Sequence, residues 1–284
     1  MSILQNKLNL ANQVKIGLEE WAGQTAHSSR FLEFYLKLLE IQAQAEDMAI
    51  VPILYLSEGE MNSRLRGGQI LLNASQLNLD SEMVRNTWER MVKLFGEYPE
   101  ILGRPPQSLG HLTDEDLANV VSAWYETDEV PGEIIGNEID DAILSALLLQ
   151  TARPFLTQIA QTLKNKYDQD AWCRNSCPVC GGKPEFAFLE KEFGARYLLC
   201  SRCSTEWLYQ RFECPYCANI DHKLQSYLTG DNEYHRLYLC DACKCYLKAV
   251  DLRKGNPNRL IPLEALITIA MDKQARELGY HPGS

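Results

Sequence analysis

Residues 196–207 read RYLLCSRCSTEW, an apolar run that ends in a Cys-x-x-Cys turn and is followed by Trp. A single pair of this kind serves a metal site, a redox disulfide or neither, and the rest of the chain decides. Four Cys-x-x-Cys pairs occur: Cys177/Cys180, Cys200/Cys203, Cys214/Cys217 and Cys240/Cys243. They form an internal repeat. CPVC at 177 matches CPYC at 214, and RYLLCSRC at 196 matches RLYLCDAC at 236, with Arg196 and Arg236 each four residues before the first Cys. Trp207 and Leu247 lie four residues after the second Cys in their copies. The spacers of 19 and 22 residues are close to the pattern of four-thiolate sites.

A Cys-x-x-Cys turn puts two sulfurs on one side of a tight loop, with backbone N–H groups pointing at them. Two such turns, opposed across a hairpin, make a tetrahedral sulfur cage. Pro178 and Pro215 set φ inside their turns, and Gly181 offers positive φ after Cys180. The repeat favours sequential grouping: one ion on Cys177, Cys180, Cys200 and Cys203, a second on Cys214, Cys217, Cys240 and Cys243. Interleaved grouping is the alternative, because only 10 residues separate Cys203 from Cys214. Tandem pairs without a βαβ context favour metal over a thioredoxin-like redox motif. Tetrahedral sulfur suits zinc and rubredoxin-type iron alike. Cys173 and Cys245 are left over and read as unligated thiols, the other reading being a spare ligand or a reactive thiol. Four thiolates complete the second cage, so His222 and His235 read as surface residues.

No nucleophile elbow, phosphate loop or dinucleotide fingerprint is present, and no Glu is placed as a base beside a His ligand. The reading is therefore not an enzyme. Arg196, Arg202, Arg211 and Arg236, with Tyr197, Trp207, Tyr209, Phe212 and Tyr216, could form a basic aromatic strip for nucleic acid. Packing of these side chains inside small metal-stapled modules is the preferred reading.

The 284 residues are 45% hydrophobic and 23% charged, ordinary for a globular chain of about two domains. All ten cysteines fall between Cys173 and Cys245, a local site rather than a chain-wide disulfide framework. Residues 1–150 carry 23 acidic and 10 basic side chains, and residues 151–284 carry 15 and 18. The acidic half repels phosphate and would suit a basic partner. No apolar run approaches the roughly 18 residues of a membrane span, and the first residues lack a secretory pattern. A cytoplasmic location is expected.

The first half reads as helices. Residues 29–48 repeat apolar side chains at helical spacing: Phe31, Leu32, Tyr35, Leu38, Leu39 and Ile41. Asp80 caps a second helix, and Thr113 with Asp116 approaches a capping box for a third. Residues 137–166 read as a long helix that Pro154 should kink or split. His27 and His111 stand alone and read as surface or cap-adjacent. After a loop at 253–261, Pro262 opens a last helix that Gly279 should end. The expected fold class is α+β. An all-helical domain spans 1–168. Two tandem rubredoxin-like or zinc-ribbon modules, each with four cysteines, span 169–212 and 213–252. A closing loop and helix span 253–284.

These motifs resemble the FdhE family of formate dehydrogenase accessory proteins. The resemblance rests on CPVCG at 177, on RYLLCSRCSTEW-x3-R-x2-C ending at Cys214, on CDAC-x2-YLK ending at Lys248, and on MDKQARELGY at 271–280. It covers roughly residues 177–280; the acidic first half agrees in length and character only. It implies a cytoplasmic assembly factor that binds the catalytic subunit of formate dehydrogenase and is needed for active enzyme. It also implies rubredoxin-like knuckles, holding iron, on the eight paired cysteines. Two features depart from the family pattern: of the acidic pair near the start of the last helix only Glu264 remains, and Cys245 is outside it. A rubredoxin-like electron carrier and a nucleic-acid-binding zinc ribbon are the rival readings.

Overall fold

The computed structural model describes residues 8–25, 30–50, 56–77, 79–103, 105, 109, 112–129, 141–230, 232–254 and 258–283. His27, His111, Ser29, residues 137–140 of the long helical segment and residues 255–257 of the closing loop lie outside these. The chain divides into two compact units, Met1–Leu54 with Leu72–Thr162, and Tyr55–Leu71 with Leu163–Ser284.

The first unit is helical: α1 (Leu10–Thr25), α2 (Arg30–Met48), α4 (Ser81–Glu97), α5 (Pro99–Leu102), α6 (Asp114–Thr127) and α7 (Asp141–Leu163). Helix α3 (Glu58–Arg66) belongs to the second unit. Asp80 caps α4 by accepting from Met83 N, and Thr113 and Asp116 form a full capping box on α6. Helix α4 buries Val84, Trp88, Met91, Leu94 and Phe95, its face at helical spacing. The Trp88 indole N–H donates to Leu109 O at 2.9 Å, so its polar end is satisfied inside the core. Pro154 does not split α7, which runs through it unbroken. A proline leaves the carbonyl four residues back without its helical donor. That carbonyl, Gln150 O, instead accepts from Gln42 Nε2 of α2 at 3.1 Å.

The second unit is built on one seven-stranded sheet. Its strands are β1 (Pro184–Leu189), β2 (Arg196–Cys200), β3 (Glu206–Tyr209), β4 (Gln225–Thr229), β5 (His235–Cys240), β6 (Cys245–Asp251) and β7 (His281–Pro282). The order is β3-β2-β1-β6-β5-β4, with β7 beside β6. Each Cys module supplies an antiparallel three-stranded meander, and the parallel pairing of β1 with β6 joins the two, Ala187 opposite Ala249. The α+β class is thus met, with the modules sharing a sheet.

The closing helix is two helices, α8 (Ile261–Ile267) and α9 (Ile269–Glu277), where one was expected. The break is at Thr268, whose hydroxyl donates to Glu264 O at 2.7 Å and competes for the backbone there. Ile261 packs with Phe186, Phe188, Leu199, Val250 and Leu252; Met271 and Ala275 pack with Leu237, Leu239 and Tyr246. Lys248 reaches from the sheet to Asp272 at 2.7 Å and Ala265 O at 2.8 Å, and burial pulls its pKa down. Gly279, at φ +85°, follows α9 as expected.

Candidate metal centres

Each of the four Cys-x-x-Cys pairs folds as the same turn. In three of them, the N–H four residues after the first Cys returns to that Cys carbonyl: Gly181 N to Cys177 O, Ser204 N to Cys200 O and Ala218 N to Cys214 O, at 2.9, 3.2 and 2.9 Å. The residue at that place has positive φ every time: Gly181 at 73°, Ser204 at 54°, Ala218 at 55° and Lys244 at 57°. Only the first is a glycine, so the turn overrides the residue preference at the other three.

The turns oppose one another across their meanders and gather the sulfurs in the sequential grouping. Cys177, Cys180, Cys200 and Cys203 lie within 4.8 Å of one another, as do Cys214, Cys217, Cys240 and Cys243. In the first group Cys177 Sγ is 3.6 Å from Cys203 Sγ, and Cys180 Sγ is 3.4 Å from Cys200 Sγ. In the second, Cys214–Cys243 is 3.8 Å and Cys217–Cys240 is 3.7 Å. A tetrahedron of thiolates about 2.3 Å from an ion has sulfur–sulfur edges of about 3.8 Å. Both donor sets fit a four-coordinate metal.

The two sites differ in burial. The four cysteines of the first are at most 2% exposed. Ile70 and Leu71 account for part of that: Leu71 N donates to Pro178 O at 3.0 Å, and Ile70 lies over Gly181. Gly182 lets the chain pass close, since a Cβ there would stand 3.0 Å from Cys200 Sγ and 2.9 Å from Arg202 Cδ. In the second site Cys214 and Cys240 are buried, Cys243 is half-buried and Cys217 is exposed.

Burial pushes the Cys177 and Cys180 thiols well up, whereas at Cys203 hydrogen bonds from the other three sulfurs and Thr205 outweigh burial and bring the thiol well down. Burial also pushes Cys214 up, to about 11. At Cys240 burial acts the same way, but the N–H groups of Cys243 and Ala242, with hydrogen bonds from Cys214 and Cys217, together outweigh it and bring the thiol down.

Three of the four arginines expected in a basic strip are inside the fold, and the fourth, Arg211, is half-buried. Arg196, Arg202 and Arg236 are buried. Arg196 donates to Gln210 O and Glu213 O, tying down the loop that leads to Cys214. Arg236 pairs with Asp251 at 2.5 Å. Trp207 and Tyr209 are buried too, the indole N–H donating to Arg174 O at 2.9 Å. The packing reading holds for these buried side chains, whereas Phe212 is exposed and Arg211 lies over its ring.

Of the remaining candidates, His222 is exposed, as expected, and Cys173 is an exposed thiol outside both cages. His235 is not a surface residue: it is buried, with Nε2 2.5 Å from Glu264 Oε2 and Nδ1 2.8 Å from Asn232 Nδ2. Burial would raise Glu264, but hydrogen bonds from His235 and Arg259 outweigh it and hold the carboxyl below its usual range. Cys245 is buried, its Sγ 3.7 Å from Cys243 O and 3.7 Å from His281 Nδ1. Sequence reasoning missed Thr205, whose Oγ1 stands 3.1 Å from Cys203 Sγ. Its place two residues after the second Cys was the available signal.

A family described as "FdhE, central domain" matches residues 176–211. The protein named Protein FdhE homolog from Aquifex aeolicus (strain VF5) is 30% identical over 264 residues, 89% of this chain and 86% of that protein. The Protein FdhE homolog of Pseudomonas aeruginosa is 32% identical over 115 residues, 38% of this chain and 37% of that one. The crystal structure of the FdhE protein from Pseudomonas aeruginosa superposes with a TM-score of 0.56 at 21% identity, covering 96% of this chain and 92% of that one, and so shares the fold. The chain belongs to the FdhE family.

Proposed function

We propose that the protein is a cytoplasmic accessory factor that binds the catalytic subunit of formate dehydrogenase and promotes formation of the active enzyme. It does this as a binding scaffold, not as an enzyme. Cys177, Cys180, Cys200 and Cys203 hold one metal ion, iron or zinc, and Cys214, Cys217, Cys240 and Cys243 hold a second. One observation carries the reading: two four-thiol cages at tetrahedral spacing, in a chain of the FdhE family. Bound metal supplies the folding energy that two small modules cannot draw from a core of their own. Among the described residues no helix is long and apolar enough to cross a membrane.

The test uses a strain that makes formate dehydrogenase and lacks this protein. Loss of formate dehydrogenase activity, restored by the full chain, supports the reading, as does co-purification of the catalytic subunit with the tagged chain. Unchanged activity in the deletion strain overturns it. Elemental analysis after anaerobic purification identifies the metal: reversible bleaching of visible absorption marks iron, and a colourless protein with two zinc ions marks zinc.

A further inference from the structure

The repeat puts a hydroxyl and a thiol at equivalent places. Thr205 follows Cys203 by two residues, and Cys245 follows Cys243 by two. In the first cage the Thr205 hydroxyl stands 3.1 Å from the Cys203 sulfur, a contact that orients a ligand from outside the donor set. In the second cage the same place holds a buried sulfur 3.7 Å from the backbone carbonyl oxygen of Cys243. The pairing of β6 with β7 sets Cys245 opposite His281, and the His281 ring lies 3.7 Å from its Sγ. So Cys245 is enclosed beside the cage that has an exposed member, Cys217. A hydroxyl can only support a thiolate cage from outside. A thiol can enter it.

We infer that the second centre is a five-thiol site in which Cys245 takes the place of Cys217. Cys214, Cys240 and Cys243 form the constant part. Cys217 is the sulfur that solvent, electrophiles and competing ligands reach first, and Cys245 swings in from beside Cys243 to restore four thiolates when Cys217 is withdrawn. At the first centre the equivalent residue is Thr205, which has no thiol to offer. The second centre can therefore lend an open ligand, Cys217, to a partner or an incoming ion without losing its own metal. This rests on the proposed metal loading of the cages.

The test compares full-length proteins reconstituted anaerobically with cobalt(II), reading metal per chain and the sulfur-to-cobalt charge-transfer bands. Wild type is expected to hold two ions. C217A is expected to keep both, with second-site affinity weakened about tenfold. The double variant C217A/C245T is expected to keep one, because threonine restores the hydrogen bond of the first cage and not the ligand. C245T alone is expected to keep two. Retention of the first-site ion serves as the folding control in each variant. C217A with a single ion, beside wild type with two, overturns the five-thiol site and leaves the proposed metal loading standing. C217A/C245T indistinguishable from C217A also overturns it, showing that Cys245 acts only as a hydrogen-bond donor. Wild type without metal overturns both readings.

Discussion

The first cage is sealed and the second is open, although the same turn builds both. Ile70 and Leu71, far away in the chain, lie against the first knuckle at Gly181 and Pro178. At the second, Cys217 meets solvent and Cys243 is half-buried. Local sequence sets ligand geometry; distant chain sets access. Four sulfurs held dry suit a centre that keeps its ion and supports the sheet. Four sulfurs with one exposed suit a centre that exchanges or reacts.

The widest separation between the two should appear on metal loss. A strong chelator is expected to strip the second centre first. Loss of the first ion, or the variant C180A, should then unfold much of the sheet, because apparent binding of a structural ion is worth about 10–16 kcal/mol. Circular dichroism recorded alongside metal release checks this, and release of both ions at one rate would abolish the contrast.

Next in size is Asp251, which pairs with Arg236 of the second copy, where Arg196 of the first copy uses backbone carbonyls instead. Asp251→Asn leaves a buried guanidinium poorly matched and should lower stability by about 3–5 kcal/mol. Hydrogen bonds from Arg253, and then the charge of Arg236, hold this carboxyl below its usual range. Its contribution is therefore present above the unfolded value of about 3.9 and is lost as pH falls through the folded one. Acid titration of unfolding should show that loss in wild type and not in Asp251→Asn.

A smaller effect should come from Gly182→Ala. The added Cβ meets Cys200 Sγ and Arg202 in the first cage, while the repeat places Asn219 at the equivalent position in the second. A cost of about 1–3 kcal/mol is expected, with faster release of the first ion only, read by chelator competition. The smallest is Thr205→Val, which deletes the hydroxyl beside Cys203 and should cost about 1 kcal/mol. Its signature is a shift in the charge-transfer bands of the first centre alone.

Much of the sites was legible in the sequence because knuckle spacing is a local property. The repeat grouped the eight cysteines as the fold groups them, and the caps at Asp80 and Thr113 were readable from short-range chemistry. What escaped depends on residues far apart. Pro154 does not split its helix because Gln42, from another helix, supplies a donor to the freed carbonyl. His235 reads as a surface residue until Glu264 and Asn232 are brought around it. The turn positions Ser204, Ala218 and Lys244 carry no glycine, so nothing in their identity announces positive φ. The cover provided by Ile70 and Leu71 could not be foreseen either, since the contact exists only once the second unit is assembled.

The pairing of β1 with β6 bears on the order in which the protein is made. As the chain leaves the ribosome, Ala187 emerges about sixty residues ahead of Ala249, its parallel neighbour, so a long loop must close before that seam can zip. Until then β1 presents a bare edge, and a metal ion seated early among the first four cysteines would hold the nascent hairpin in shape while the remainder is still being translated.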